Sequence, residues 1–444
     1  MEAHVRIEEI LYQIHKVMQE KPKLYILGGG LAGISIAINK KHDFDATIIE
    51  SSEQLGGLLN GIQINGNQYP IGAHFLRKSG NTELDEVLFS EHYKWKYFDV
   101  LSAASTSFGC IDTDTGFLNI NSSSTSFKLS FYMHLLKNLL KNIFLKRSEK
   151  HPDNLLEMIK VRFGAMVAEQ FNNLSNKYYG LDLEEQEIDS IDPLACTDRV
   201  KCLTPRQTIL LKKIAYFDRK IAYHRSTSTG LLKQNFVPYQ LQYKEWWHAI
   251  AENLKELSIN LVMNTQVVEA NPEKLVLNSL NASSERRYHE IKLREGDTYI
   301  DTIGLIKRTA ANQTHTTLLF FESDQQPLIR NHFVTSYTSR DVFSRITLCR
   351  NIGGNHNGFV VEIVLRKERM PSIEVLESTC IDQMKEYAII SRSAKTKLVK
   401  YINLRAKGFR PKLLTNKALD AGKNKSYGIQ NNENWFMGEI ANAK

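Results

Sequence analysis

The hydrophobic pattern is most regular between Lys23 and Ile49, where KLYIL and ATII form two short apolar runs on either side of a segment of helical period. Runs of this length, bounded by glycine and charge, predict strands over Lys23–Leu27 and Ala46–Ile49 and a helix over Ile34–Asn39. Gly28, Gly30 and Gly33 fill G-x-G-x-x-G between the first strand and the helix, and Glu50 closes the second strand about 20 residues downstream. That order predicts a βαβ dinucleotide-binding unit. The first glycine permits a tight turn, the second lets a pyrophosphate reach the backbone, and the third admits the helix against the sheet. The first turn, from Leu31 and Ala32, then points its N–H groups and dipole at the phosphates, and Glu50 accepts from ribose hydroxyls.

Elsewhere the pattern changes character several times. Ile7, Ile10, Leu11, Ile14 and Val17 fall at helical spacing and predict an N-terminal helix over 1–20. From Thr82 to about Tyr223 the pattern is mainly helical with polar loops. Within it, Lys128–Arg147 lines up Phe131, Leu135, Leu139 and Ile143 on one face, with Lys137, Lys141, Lys146 and Arg147 largely elsewhere. A basic amphipathic helix of this kind can lie on an anionic membrane, giving peripheral contact through 128–147. Packing onto a neighbouring helix explains the same pattern and is the expected use. A helix over Trp246–Leu257, one strand over Asn260–Glu269 and another over Asp297–Ile303 follow. Thr316–Lys367 then carries β-rich runs separated by turn residues, which predicts an antiparallel sheet. Ile373–Ile390 reads as a helix, and the basic segment Lys395–Lys425 suggests no element.

Composition narrows the class. A chain of 444 residues exceeds what one core usually organises, so two interleaved domains are expected. Hydrophobic residues at 42% and charged residues at 24% describe a globular protein. The formal charge of +8 suits anionic cofactors or substrates, but the basic residues are scattered and show no nucleic-acid-binding spacing. Five cysteines, Cys110, Cys196, Cys202, Cys349 and Cys380, are widely spaced without a C-x-x-C pair, which indicates neither a disulfide framework nor a metal site. No stretch reaches the ~18 uninterrupted apolar residues of a spanning helix. The first 20 residues lack a signal-peptide core, so a cytoplasmic location is the default expectation.

Immediately after Glu50 the chain reads S-S-E-Q-L-G-G-L, placing Gly56, Gly57 and Leu58 beside the acid. This second glycine pair resembles the FAD-binding signature of the flavoprotein superfamily that includes monoamine oxidases, phytoene desaturases, protoporphyrinogen oxidase and UDP-galactopyranose mutase. The family usually has arginine or asparagine where Leu58 stands. Tyr69–Arg77, YPIGAHFLR, resembles the Gly-x-His-x-Phe segment of the sugar-nucleotide and polysaccharide branch, implying that Gly72 and His74 lie beside the isoalloxazine. Read without that resemblance, a lone histidine such as His74 is better explained as a satisfied structural residue. By the same resemblance the Val267 backbone touches the adenine, Gly438 and Glu439 in NWFMGEIA approach the pyrophosphate, and Tyr178, Tyr179 and Gly180 fall in a substrate-domain turn.

The resemblance implies an α/β fold with a glutathione-reductase-type FAD-binding Rossmann domain and an inserted α+β substrate domain. The FAD domain is expected over 21–81, 236–310 and 426–444, and the substrate domain over 82–235 and 311–425. The implied activity is that of an FAD-dependent oxidoreductase transferring hydride from a small molecule, such as a sugar-nucleotide, glycan precursor or amine, to flavin N5. A mutase using reduced flavin as nucleophile is the first alternative, with Arg206, Arg219, Arg225 and Arg345 as candidates for its diphosphate. A flavoprotein-like scaffold without catalysis is the second. His74 and Arg345 are the candidate catalytic residues.

Overall fold

The computed structural model describes residues 21–405 except 92, 99–100, 106–110, 113–117, 121–123, 146–151, 179–180, 189–199, 202, 204, 215–216, 218–234, 281–285, 304–313 and 367–369. The helix expected over 1–20, Tyr179, Gly180, Arg219, Arg225, Gly438 and Glu439 lie outside the described residues.

The glycine turn joins β1 (Lys23–Leu27) to α1 (Leu31–Lys40), which returns through β2 (Asp45–Ile49) to a hairpin of β3 (Gly61–Ile64) and β4 (Asn67–Pro70). After α2 (Thr82–Leu88) come β5 (Trp95–Phe98), β6 (Ser102–Ser105), β7 (Ile111–Asp112) and β8 (Leu118–Asn119). Three helices follow, α3 (Thr125–Leu145), α4 (Leu155–Phe163) and α5 (Ala165–Tyr178), then β9 (Val200–Lys201) and α6 (Pro205–Leu211). The chain continues through β10 (Asn235–Pro238), α7 (Tyr243–Glu256) and β11 (Asn260–Val262). A meander of β12 (Thr265–Ala270), β13 (Lys274–Leu280) and β14 (Arg286–Lys292) precedes β15 (Thr298–Asp301). The last elements are β16 (Thr314–Ser323), β17 (Phe333–Ser336), β18 (Arg345–Leu348), α8 (Cys349–Ile352), β19 (Gly358–Arg366), α9 (Ile373–Glu386) and β20 (Thr396–Arg405).

Two sheets organise these elements. β11, β2, β1 and β15 form a parallel sheet in that order. It is buried on both faces, as a parallel sheet must be. The period-two alternation of β1 sends Leu24 and Ile26 into the core shared with α1 and α7, and Tyr25 and Leu27 into the core under the meander. The second sheet runs β20-β16-β19-β18-β17-β6-β7, antiparallel except where β17 pairs with β6. α9 packs Leu376, Cys380 and Met384 onto one of its faces.

Four expectations need correction. The single strand over Asn260–Glu269 is two, because Asn264 takes a left-handed φ of 52°. Asparagine tolerates that conformation better than most residues, so the chain leaves the parallel sheet there and starts the meander. The stretch expected to be mainly helical contains five short strands among its described residues, β5 to β9. β6 is Ser-Ala-Ala-Ser, with little strand propensity of its own; pairing with β17 and burial of Ala103 and Ala104 make it a strand. β20 lies in the basic segment to which no element was given. The helix predicted over Ile373–Ile390 stops at Glu386, and Ala388 just beyond it has a φ of 51°.

Candidate functional site

The glycine turn is built by backbone contacts that leave no room for side chains. A Cβ at Gly33 would run into the Gly28 carbonyl oxygen, and one at Gly28, whose φ is 108°, would strike Ile303 and Thr302. These two glycines let α1 pack on β1. Gly30 serves differently: a Cβ there would meet nothing within 4 Å. Gly30 caps α1 without any side-chain hydrogen bond, so no side chain caps the N–H groups of the first turn.

The second glycine pair closes the cradle. The Gly56 N–H donates to the Gly29 carbonyl at 2.9 Å, and a side chain on Gly56 would hit the Trp247 indole. Gly57, with φ of 52°, faces Gly30, whose Cα is the nearest atom to a notional Cβ at 3.5 Å. Glu50 fastens the turn to the end of β2. Its Oε2 accepts from the Gly29 N–H at 2.7 Å and its Oε1 from the Ser52 N–H at 2.9 Å. A carboxylate offers about four lone-pair sites, so capacity for a ribose hydroxyl remains. The backbone-lined opening at Gly30 and Gly57, the uncapped helix and the buried acid fit the pyrophosphate and ribose of a dinucleotide.

His74 stands at the end of the hairpin that leaves this cradle. The Ile71 N–H donates to the Asn60 carbonyl at 3.1 Å, and the Asn60 N–H to the Gly57 carbonyl at 3.2 Å, which tethers the Gly72–His74 turn to the glycine pair. Arg345 approaches the same turn from the second sheet. It pairs across β18 and β19 with Glu362, its Nε donating to Oε1 and its Nη2 to Oε2, both at 2.7 Å. Glu362 also accepts from the Ala73 N–H at 3.1 Å, and a Cβ at Gly72, where φ is 85°, would crowd the same oxygen. His74, Arg345 and Glu362 are therefore one cluster.

Its electrostatics follow from burial and pairing. Burial, then the Arg345 charge, pulls the His74 pKa from 6.5 to about 4 against the opposing pull of Glu362, so the imidazole is neutral at pH 7. Burial disfavours the Glu362 carboxylate, but Arg345, with smaller help from His74 and the Ala73 N–H, outweighs it and holds the carboxyl below its usual range. Glu362 was missed in the sequence. Its signal was an acid inside the apolar run GFVVEIVLR, where an unpaired charge would be costly.

The other expected residues are placed differently. Val267 is buried beside Tyr25, Leu27 and Ile49, next to a bulge in β12, and two residues before it the Thr265 N–H donates to the Glu50 carbonyl. Leu58 is 59% exposed at the rim of the cradle. Arg206 is exposed on α6. Tyr178 is a core residue whose hydroxyl donates to the Ser336 carbonyl at 2.9 Å.

Residues 26–89 match the NAD(P)-binding Rossmann-like domain family. Reduced UDP-galactopyranose mutase is similar to this chain with a TM-score of 0.62 at 14% identity, over 88% of this chain and 83% of that one. The chain shares its fold with that structure, around a nucleotide-binding unit of the Rossmann type. An oxidoreductase from Methanosarcina mazei shares the architecture with a TM-score of 0.51 at 11% identity, over 86% and 88% of the two chains. Coverage of this size exceeds the dinucleotide domain, so the shared fold extends beyond it. No curated protein sequence matches the chain.

Proposed function

We propose that the protein is an FAD-dependent oxidoreductase acting on a small hydroxyl-bearing molecule, a glycan precursor or sugar-nucleotide, where the glycine cradle meets the His74 turn. The observation that carries this reading is the tether from Ile71 through Asn60 to Gly57, which brings a neutral imidazole and an ion pair to the edge of a dinucleotide cradle. The backbone of Gly30, Leu31, Ala32 and Gly57 holds the pyrophosphate, Glu50 takes the ribose, and the Val267 segment borders the adenosine. FAD, when bound, supplies the two-electron redox chemistry of its flavin ring.

The chain's own residues orient and polarise. His74, being neutral, donates or accepts a hydrogen bond to a substrate hydroxyl without adding charge. Arg345 is held in place by Glu362, which also neutralises most of its charge. A compensated pair attracts a diphosphate weakly, and this favours oxidation of a hydroxyl-bearing substrate over mutase chemistry at this spot. Residues 82–235 and 311–425 then supply the substrate side.

The test is an absorption spectrum of the purified protein, followed by anaerobic mixing with candidate glycan precursors and sugar-nucleotides. Yellow protein bleached by one of these substrates is expected. Turnover only after prior chemical reduction of the flavin would replace this reading with an isomerase, and a colourless protein that cannot be reconstituted with FAD would replace it with a scaffold.

A further inference from the structure

α3 is apolar on two opposite faces, and among the described residues only one of them is covered. Phe127 and Phe131 are buried in the helical core with Phe163, Val167 and Phe171. On the other side, Leu129, Met133, Leu136 and Leu140 are exposed, by 62%, 54%, 47% and 43%. At about 100° per residue these four fall within one narrow stripe of the helix. Met166 on α5, 39% exposed, extends the stripe beyond α3. Between the two helices lies a groove of about 670 Å³ lined by Met133, Leu136, Leu140, Met166 and Val167.

The charge on α3 itself has one sign. The sequence of α3, Thr125–Leu145, contains no aspartate or glutamate. Lys128 and Lys137 flank the stripe on either side, and Lys137 is exposed at the rim of the groove. A contiguous apolar strip edged by lysines, on a protein of formal charge +8, matches the layering of a lipid surface, with acyl chains beneath anionic headgroups. Among the described residues no helix is long and apolar enough to cross a membrane. We propose that the exposed face of α3 docks on the surface of an anionic lipid bilayer. The helix lies in the interfacial plane with Leu129, Met133, Leu136 and Leu140 inserted among acyl chains and its lysines at the headgroups. This is independent of the cofactor and of the reaction.

The experiment is co-sedimentation with vesicles of phosphatidylcholine alone and of phosphatidylcholine mixed with phosphatidylglycerol. The wild type, the double variant Met133→Glu/Leu136→Glu and Lys137→Glu are compared, with melting temperature and size-exclusion profile taken on the same preparations. The wild type is expected to sediment with the mixed vesicles and to be released by salt. The double variant should lose roughly tenfold or more of that binding at an unchanged melting temperature, and Lys137→Glu a smaller share. Wild type remaining in the supernatant overturns the proposal, as does a double variant that sediments like wild type. A wild-type dimer that the double variant converts to monomer would assign the face to a second copy. A fall in melting temperature with no change in sedimentation would assign it to the chain's own residues 1–20. Either result refutes lipid docking.

Discussion

In the glycine cradle the polar contacts are local and anchor backbone N–H groups: the Glu50 carboxylate accepts from the Gly29 N–H across 21 positions. In the His74 cluster they are remote and made by side chains, with Glu362 reaching the Ala73 N–H across 289 positions. The cradle is consequently intolerant of added volume, while the cluster is intolerant of lost charge. One region holds a ligand by what it leaves out, and the other positions chemistry by what it pairs.

The sharpest way to break the comparison is volume. Gly33→Val places a side chain against the Gly28 carbonyl and should cost ~3 kcal/mol or more of unfolding free energy in urea titrations. A loss below half of that would mean that the cradle can expand and is no less tolerant of added volume than the His74 cluster.

Removing the imidazole from the cluster tests its other half. His74→Ala is expected to keep bound flavin and melting temperature but to slow substrate-dependent flavin reduction by roughly a hundredfold. If stability and flavin content fall together while the single-turnover rate holds, His74 is a structural histidine.

Charge comes next. Glu362→Gln strips one partner from a pair whose arginine is 28% exposed, and about 2 kcal/mol of stability should go with it. The double variant Arg345→Met/Glu362→Leu should recover much of that loss, since an apolar pair of similar volume leaves no orphaned charge. Additive losses in the double variant would show that the two side chains are not coupled.

Acid offers a milder probe. The His74 pKa is depressed in the folded state, so below pH 6.5 the unfolded chain binds a proton that the native one refuses. Stability should therefore fall as pH drops from 6.5 towards 4, by about 1 kcal/mol per unit from this residue. Glu362 adds to the loss at lower pH, as its depressed carboxyl is protonated below its ordinary 4.5. His74→Gln should flatten the upper part of the curve, read as melting temperature against pH; an unaltered slope would place the titration elsewhere, His332 being a second histidine lowered to about 4 by burial and Lys96.

The smallest effect on stability belongs to Gly30→Ala. With φ of −75° and no atom near its notional Cβ, it should change unfolding free energy by less than ~0.5 kcal/mol while lowering FAD occupancy sharply. Unchanged occupancy would remove Gly30 from the cofactor contact.

What the residues determine by themselves is the part of the molecule governed by short-range pattern. Strand, glycine turn, helix and strand over Lys23–Ile49 were legible because apolar period and glycine sterics act within one unit, and the observed bounds differ from the predicted ones by three residues at most. The beta-rich run from Thr316 was legible for the same reason. Tertiary structure alone decided the rest. Arg345 and Glu362 became partners because β18 and β19 pair in one register, and a single-residue slip would have sent one of them to the other face. Ser102–Ser105 became a strand only through its neighbour, and among the described residues the helices beside α3 cover one of its apolar sides only. Register and coverage depend on contacts between segments far apart in the chain, and no local pattern encodes them.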